Sequence, residues 1–524
     1  MTQEEFPTSP NPDPEPDAAV AGDLVDPHAH LQFQILESIQ TILTALMLAF
    51  MLRAFFIEAF IIPTGSMAEG LLGQHGVRIC SNCGWQFEFG PGSEREATPR
   101  PDGFVPPLTT FCPNCHAQIP LDPDDPSIRS GDRILVHKWP YVLGGPFGPH
   151  RWDVIVFRDP ADPEQNFIKR LVALPNESIE IIDGDVYIKA PGATDFHIAR
   201  KTPAAQSRLW LIVFDQNHLP ADSTSVDHPP AWVPESRPNS SGGWSGAATR
   251  VLRHDARDDQ PHTLRFDPDG SRYYLQDVCA YNQGSAGNYV GDVRIRAELS
   301  PLGGAGWLDL VLVRDGYRFV ARVDSRGEST LTMQAPGKEN PIVLGGTAGS
   351  PLDPETPAVI EFAHLDYRVY LKIDGHEVLT SSDDQYSPDV DALRQVRRIN
   401  PVSISLVAAD LSFELHDLRV DRDVYYAFSR TNTLRAYAGH PLMLGDDEYF
   451  VLGDNSPNSH DSREWYLVGP HLADDFHEGR YQVGTVPGDQ IVGQAFFVYL
   501  PGLMPLDDHG RWRIPDLGRV RFIR

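Results

Sequence analysis

The chain has 524 residues, of which 72 are acidic and 44 are basic, giving a formal net charge of −28. So acidic a chain, with no Lys/Arg-rich patch, is not expected to bind nucleic acid, because such binding depends on cationic contacts to phosphates. Its length exceeds what one compact core supports, so about two to four domains are expected. Five cysteines are too few for a disulfide scaffold.

The chain begins with an acidic segment followed by an apolar run. Residues 1–34 are rich in Asp, Glu and Pro and are predicted to be a disordered tail that lacks the basic start of a secretory signal. Residues 35–57 are predicted to be a transmembrane helix, since Ile35–Leu52 supplies 18 of the roughly 20 residues that a bilayer span needs. A buried core helix and a helix lying in the membrane interface stay open, and the basic residues leave the orientation undecided.

Three separated segments are predicted to build one all-β body. Residues 58–73 contain the strand-like run FFIEAFIIP and a Gly-Ser turn at Ser66. Residues 131–200 and 425–524 consist of short β runs separated by Gly, Pro and Asp, which is typical of an all-β domain.

Two inserts interrupt this body. Residues 74–130 carry four cysteines in the pattern C-x2-C, 28 intervening residues, C-x2-C. Four thiolates in two such pairs can converge tetrahedrally on Zn²⁺, so the segment is predicted to be a small zinc-ribbon-like insert with a structural, all-sulfur site. Two disulfides are the alternative if the segment lies outside the cytoplasm. The four residues are Cys80, Cys83, Cys112 and Cys115.

The second insert is long and rich in regular strands. Residues 201–264 are predicted to be an irregular linker and residues 265–424 an antiparallel, jelly-roll-like β-sandwich, because apolar residues alternate and Asp-Gly turns join the strands. Four apolar residues of the run DVRIRAEL share one face: Val293, Ile295, Ala297 and Leu299. The strand rhythm resembles concanavalin-like and laminin-G-like sandwiches, but sugar binding is then only an analogy of fold, and a structural or partner-docking insert is favoured.

A lone serine needs a base before it can act as a nucleophile. A triad of Ser66 with His460 and Asp461 is disfavoured, because neighbouring residues of an extended strand point to opposite faces. Lys169, in the strand-like run NFIKRLVALP, is the better candidate. Burial that lowers its pKa by roughly 2 to 4 from an ordinary value near ~10.4 would make it a usable base.

Four blocks of the chain, covering about a third of it with their flanks, resemble those of bacterial type I signal peptidases. In order they are FIEAFIIPTGSM after the apolar helix; SGDRILVHKW with RWDVIVFRDP; NFIKRLVALP; and YFVLGDNSPNSHDSREW with VPGDQIVGQAFF. The resemblance implies a membrane-bound serine endopeptidase in which Ser66 is the nucleophile and Lys169 the general base. It also implies that Thr64 joins the Ser66 N–H in the oxyanion hole and that Ser459 hydrogen-bonds and orients the lysine.

The resemblance further implies a supporting ion pair of Asp461 with Arg463. Phe60, Ile62 and Ile168 fall where the family lines shallow pockets for Ala-x-Ala sequences. The implied substrates are the signal peptides of secretory preproteins. The implied location is the plasma (inner) membrane, with a single span, a cytoplasmic tail and an extracytoplasmic body. No cofactor is expected for catalysis.

The chain departs from the family pattern at Ala68–Glu69, Asn176–Glu177 and Ser456–Pro457, none of which removes a catalytic atom. The whole is expected to be mainly β, with the signal-peptidase β-fold after one transmembrane helix. Two other functions are weighed. An inactive membrane-tethered protein could bind an unknown ligand through its sandwich, and a self-cleaving Ser-Lys repressor would need a DNA-binding head, which is not predicted here.

Overall fold

The structure is a computed structural model that divides into two units, Met1–Phe56 and Ile57–Arg524. The described residues are 27–92, 107–122, 128–221, 230–235, 243–256, 260–267, 273, 275–278, 281, 287–349, 351–395, 401–428, 435–506 and 512–523. The predicted tail over residues 1–26 and the lone Cys279 lie outside them.

The first unit contains helix α1 (Pro27–Phe55). It begins eight residues before the predicted start at 35, so residues 27–34, which were assigned to the tail, are helical. The physical reason is local: a proline is well tolerated in the first turn of a helix, and no further proline or glycine interrupts residues 28–34.

The apolar part of α1 is long enough to cross a membrane. Residues Gln34–Arg53 have a mean hydropathy of 1.9, and no residue of that window is buried by the rest of the protein. The hydroxyls of Ser38, Thr41 and Thr44 each donate to the carbonyl four residues earlier at 2.8 Å. These three hydroxyls therefore satisfy their hydrogen bonds inside the helix, which suits a lipid environment.

The second unit is built mainly of strands. The short helices are α2 (Trp139–Leu143), α3 (Pro203–Leu209), α4 (Val390–Leu393) and α5 (Ala473–His477). Short 3-10 turns lie at Gly145–Phe147, Ser456–Asn458, Pro470–Leu472, Gly488–Gln490 and Leu517–Arg519. The strands up to residue 200 are β1 (Ile57–Ile61), β2 (Gly76–Ile79), β3 (Gln86–Phe89), β4 (Thr109–Phe111), β5 (Gln118–Pro120), β6 (Arg133–His137), β7 (Val154–Arg158), β8 (Asn166–Ala173), β9 (Ser178–Ile182), β10 (Asp185–Lys189) and β11 (His197–Ile198).

The remaining strands are β12 (Leu211–Asp215), β13 (Trp232–Pro234), β14 (Gly243–Ser245), β15 (Leu252–Asp255), β16 (His262–Phe266), β17 (Val293–Arg314), β18 (Tyr317–Asp324), β19 (Ser329–Gln334), β20 (Ile342–Thr347), β21 (Ala358–Leu365), β22 (Arg368–Ile373), β23 (His376–Thr380), β24 (Ser403–Arg422), β25 (Leu442–Met443), β26 (Glu448–Leu452), β27 (Val486–Pro487), β28 (Ile491–Leu500), β29 (Leu503–Pro505), β30 (Arg513–Pro515) and β31 (Arg521–Phe522).

Strands from before and after the sandwich insert form one antiparallel sheet, here called the body sheet. Its strand order is β1-β6-β28-β7-β8-β26-β27, with β31 on β28. Val154 and Val156 of β7 pack into one apolar cluster, while Ile155 and Phe157 pack into another, as the two-residue period of a strand dictates. Both faces of the sheet are therefore covered. The middle strand β8 is buried from residue 168 to residue 173, so any charged side chain there is buried too.

The inserted sandwich rests on two long strands. Strands β17 and β24 have 22 and 20 residues and pair with each other across bulges near Gly303 and Gly304. Before the bulges β17 also pairs with β21, and after them with β18, so both long strands pass from one sheet into a second. One apolar core lies between the sheets, and it includes the four residues predicted to share a face: Val293, Ile295, Ala297 and Leu299. The predicted β-sandwich is confirmed.

The predicted linker over residues 201–264 is wrong in its described parts. Thr202 caps α3 by accepting a hydrogen bond from Ala205 N at 3.2 Å. Strands β12, β15 and β16 pair with β24 and so belong to the sandwich. These strands have only four or five residues each, so the Pro, Ser and Gly residues around them dominated the composition.

A buried cation joins the sandwich to the segment that precedes it. Lys201 Nζ lies 2.6 Å from Asp366 Oδ1 and 2.7 Å from Asp423 Oδ2, and all three side chains are at most 3% exposed. Burial works against the charge, but the two carboxylates raise the pKa of Lys201 well above its ordinary value. A buried pair of this kind is costly to break, because the remaining partner stays charged and out of water.

We therefore expect Lys201→Ala to lower the free energy of unfolding by about 3 to 5 kcal/mol, since two buried carboxylates lose their cation. Lys372→Ala is the matched control, because Lys372 lies 3.7 Å from Glu361 with 30% of its side chain exposed. That variant is expected to lose at most about 1 kcal/mol. Denaturant unfolding followed by tryptophan fluorescence measures both, and equal losses in the two variants would contradict the assignment.

Candidate active site

The serine singled out by the sequence lies in a tight turn after β1. Ala68 N donates to Gly65 O at 3.0 Å, which closes the turn, and Ser66 is 7% exposed. Asn455 holds the turn from the body sheet: its backbone N donates to Ser66 O at 3.0 Å and its Nδ2 donates to Gly65 O at 3.0 Å. Two carbonyls of the turn are thus fixed by one residue.

Lys169 reaches this serine from the middle of the body sheet. Its Nζ lies 2.6 Å from Ser66 Oγ, although the two residues are 103 positions apart in the chain. Lys169 pairs with Ile155 across β8 and β7, and it is 4% exposed. The structure therefore brings together the two residues that the sequence analysis proposed as a dyad, in a place that water barely reaches.

Burial changes the chemistry of the amine. Desolvation lowers the pKa of Lys169 to about 8; the charges of Asp461 and Asp454 oppose this shift, and that of Arg463 adds to it. With a pKa near 8, about one amine in ten is neutral at pH 7, instead of fewer than one in a thousand for an ordinary lysine. A neutral amine at hydrogen-bond distance can take the hydroxyl proton of the serine.

The expected pair of Asp461 and Arg463 is formed, and both residues are at most 1% exposed. Arg463 Nε donates to Asp461 Oδ1 at 2.8 Å and Nη2 donates to Oδ2 at 2.7 Å. Burial alone would raise the pKa of Asp461, but the guanidinium holds it below its ordinary value. The carboxylate also accepts a hydrogen bond from Gly453 N at 3.0 Å, which ties the pair to the end of β26.

Ser459 does not make the expected hydrogen bond to the lysine. It is buried, yet its Oγ has no hydrogen-bond partner among the described residues. Its hydroxyl packs closely on Gly453 instead, since a Cβ at that position would lie 2.2 Å from Ser459 Oγ and 2.6 Å from Ser66 O. Ser459 is therefore wedged against the backbone of the neighbouring strand end, while the Lys169 amine bonds to Ser66.

The sequence analysis missed a second buried ion pair. Arg170 Nε and Nη2 each donate to Asp454, to Oδ1 and Oδ2 respectively, at 2.7 Å. Arg170 follows Lys169 on β8 and therefore points to the opposite face, where a charge is tolerated only with a partner. Two signals could have found the pair: an arginine in a buried strand, and the aspartate of the GDN run, which precedes Asn455.

The residues proposed for substrate contact are close together but differ in exposure. Ile62 and Ile168 are 2% and 7% exposed, and Phe60 is half-buried, all within one apolar cluster. Thr64 is exposed beside the turn. Their roles stay predictions. His460, from the disfavoured triad, is 58% exposed and lies 3.7 Å from Glu464.

The four cysteines of the first insert converge at a second site. All are buried, and their sulfur atoms lie within 4.8 Å of one another. Cys80 Sγ is 3.6 Å from Cys115 Sγ, and Cys83 Sγ is 3.6 Å from Cys112 Sγ. A disulfide needs about 2.05 Å, so the disulfide alternative is wrong for this structure. Four sulfurs around one tetrahedral zinc with bonds near 2.3 Å lie about 3.8 Å apart, which matches the observed spacing.

The hairpins that carry the cysteines are built alike. In each, the backbone N–H of the first cysteine donates to a carbonyl five residues on, from Cys80 to Trp85 at 2.8 Å and from Cys112 to Ala117 at 3.0 Å. The asparagine before the second cysteine points across to the other hairpin. Its amide is 3.8 Å from Cys115 Sγ in one case and 3.6 Å from Cys83 Sγ in the other. The asparagines are Asn82 and Asn114.

Comparisons with known proteins match segments of the chain that contain most strands of the body sheet. A model of the family described as "Signal peptidase, peptidase S26" matches residues 110–224 and 396–500. Those segments include Lys169, Asp461 and Arg463 but not Ser66. Signal peptidase I of Pseudomonas fluorescens is 41% identical over 71 residues, which is 12% of this chain and 25% of that protein.

A probable signal peptidase I-1 of Synechocystis sp. is 38% identical over 76 residues, which is 13% of this chain and 37% of that protein. The chain thus spans 25% and 37% of the length of these two curated relatives. Among solved structures, the carbohydrate-binding module CBM66 of Bacillus subtilis has 12% identity and a TM-score of 0.24, covering 36% of this chain and 95% of the module. A score so low supports no conclusion about binding.

The buried amine should cost the protein stability at neutral pH. Its folded pKa of about 8 lies below its ordinary value of 10.5, so the unfolded chain binds more protons between these values, and stability rises as the pH rises through them. Lys169→Met removes the penalty and is expected to raise the free energy of unfolding by about 3 kcal/mol at pH 7. The gain should shrink steadily from pH 8 towards pH 10.

Thermal melting of both proteins across this pH range measures the difference. Lys338→Met, at an exposed lysine in the turn after β19, is the control and should give a small difference that does not vary with pH. A gain that is the same at pH 7 and pH 10 would show that the amine is not desolvated.

Proposed function

We propose that this chain is a membrane-anchored serine endopeptidase of the signal peptidase type, which cleaves signal peptides from secretory preproteins after small residues. The observation that carries the proposal is the 2.6 Å contact of Lys169 Nζ with Ser66 Oγ in a buried site, with the pKa of the amine lowered to about 8. The family match over residues 110–224 and 396–500 supports the same reaction class.

In the proposed mechanism the neutral Lys169 amine takes the proton of Ser66 Oγ as that oxygen bonds to the scissile carbonyl carbon. The negative charge that develops on the carbonyl oxygen is stabilised by the backbone N–H of Ser66 and by the Thr64 hydroxyl. The C–N bond then breaks, and the Lys169 ammonium gives its proton to the departing amine. An ester to Ser66 remains.

The ester is then hydrolysed. Water attacks the carbonyl carbon while the Lys169 amine takes a proton from it, and the bond to Ser66 Oγ breaks as that oxygen regains its proton. The two ion pairs take no part in bond making. Asp461 with Arg463, and Arg170 with Asp454, hold the polypeptide around the dyad without placing a net charge beside the amine.

The small apolar surface beside the serine fits short side chains. Phe60, Ile62 and Ile168 are proposed to line the pockets for the small residues before the cleavage point. The apolar helix α1 is proposed to anchor the protein in the plasma (inner) membrane, with the body on the outer side. An emerging signal peptide would then reach the body with little freedom of diffusion.

The four cysteines are proposed to hold one structural zinc ion. Buried thiolates at tetrahedral spacing, with an asparagine amide aimed at one sulfur of each hairpin, match a closed zinc site with supporting hydrogen bonds. With all four positions taken by sulfur, the ion would have no open position for substrate. Zinc is therefore assigned a role in folding and none in peptide hydrolysis.

We expect Ser66→Ala and Lys169→Ala each to abolish cleavage of a preprotein with an Ala-x-Ala site, because one removes the nucleophile and the other its base. Mass spectrometry of the new N-termini, with the full-length chain in detergent or vesicles, measures this. Ser207→Ala and Lys338→Ala, at exposed positions away from the turn, are the controls and should cleave like the parent chain. Full activity of either Ser66→Ala or Lys169→Ala would refute the proposed mechanism.

Zinc content gives a separate test of the first insert. The purified chain should hold one zinc ion, and Cys80→Ser should lose it together with several degrees of melting temperature, since the ion contributes folding free energy directly. Cys279→Ser, at the remaining cysteine, is the control and should keep its zinc. Elemental analysis that finds no zinc in freshly purified protein would refute the assignment.

A further inference from the structure

A side chain of the sandwich insert lies directly against the turn of the nucleophile. Tyr281 is 1% exposed and shares an apolar cluster with Ala68 and Leu72. A Cβ added to Gly65 would lie 2.0 Å from Tyr281 Cε1 and 2.8 Å from Cδ1. The phenol ring therefore packs on the backbone of the residue that precedes Ser66.

The tyrosine is itself held from several directions. Its hydroxyl donates to Gln74 O at 3.1 Å, and its carbonyl accepts from Gly90 N at 2.5 Å, so it bonds to the start and to the β3 hairpin of the cysteine-rich insert. Three residues earlier, Val278 O accepts a hydrogen bond from Arg422 of β24. Both inserts thus contribute to the position of this one ring.

The nucleophile turn is consequently clamped on two sides. Asn455 holds the carbonyls of Gly65 and Ser66 by hydrogen bonds, and Tyr281 fills the space against Gly65 Cα. The 2.6 Å bond between Ser66 and Lys169 depends on where this turn sits. A displacement of about 1 Å of a reacting group can cost about 100-fold in rate.

We propose that Tyr281 is a positioning residue for Ser66, so that the sandwich insert completes the active site. The proposal rests on the serine endopeptidase function proposed above. It predicts that the ring acts through packing, and that the hydroxyl contributes mainly to anchoring the ring. The insert would then be needed for catalysis even with a soluble peptide substrate that does not touch it.

Tyr281→Ala is expected to lower kcat by about tenfold or more while KM changes by less than about twofold, because the serine is misplaced and the substrate pockets are intact. Tyr281→Phe keeps the ring and should restore kcat to within about twofold of the parent chain. Tyr386→Ala is the matched control, since Tyr386 is a buried tyrosine in the sandwich core. It should lower the melting temperature and leave kcat unchanged.

A double-mutant cycle isolates the contact. Gly65→Ala alone should destabilise the protein, because its methyl group collides with the ring, and in the Tyr281→Ala background the same change should cost much less. Melting temperature and kcat are both read in the four proteins. Strict additivity would overturn the contact, and a kcat of Tyr281→Ala equal to that of the parent chain would overturn the positioning role.

The two proposals fail in different ways. If the parent chain does not cleave any preprotein, the endopeptidase function is wrong and the positioning role falls with it, whatever the cycle shows. If the parent chain cleaves and Tyr281→Ala loses no more kcat than Tyr386→Ala, only the positioning role is wrong.

Discussion

The whole site depends on keeping one amine out of water while a hydroxyl stays within its reach. Desolvation favours the neutral form of Lys169, but each nearby carboxylate favours the charged form. Asp461 would therefore hold a proton on the lysine if its own charge were not balanced by Arg463. The Asp461 carboxylate also has a structural role, because it accepts a hydrogen bond from the backbone N–H of Gly453. Arg463 offsets the charge of this carboxylate, so that Asp461 can play that role without raising the pKa of Lys169 back towards its ordinary value.

One short segment sets the distance within the dyad. Asp454 pairs with Arg170, which is the chain neighbour of the base, and Asn455 holds the carbonyls of the turn that carries the nucleophile. Two adjacent residues after β26 therefore fix the positions of Lys169 and Ser66 relative to each other. The 2.6 Å contact of Lys169 with Ser66 therefore depends on this loop as well as on the two residues themselves.

The sequence revealed the features that have a local pattern. The alternating strands of β17 and the buried strand β8 follow from apolar periodicity, and four paired cysteines follow from their spacing. The sequence did not reveal the early start of α1, because residues 27–34 adjoin the acidic tail in composition. It did not reveal the short strands at residues 211–266, because the Pro, Ser and Gly residues of the turns around them dominate the composition. The pair of Arg170 with Asp454 and the packing of Tyr281 on Gly65 were not predicted for another reason. Each joins residues that only tertiary structure brings together. The sequence marks Arg170 and Asp454 as residues that need a partner without showing which one, and nothing in it marks Tyr281.

The pair of Arg170 and Asp454 also bears on the order of events during synthesis, since 284 positions separate the two residues. The strand that holds Lys169 and Arg170 is made long before the loop that carries Asp454, and the entire sandwich is translated in between. Contacts at such long range form late and slowly. The whole sandwich can therefore be synthesised before Asp454 is available to pair with Arg170, so the strand that carries Lys169 gains this contact only after the sandwich has been made.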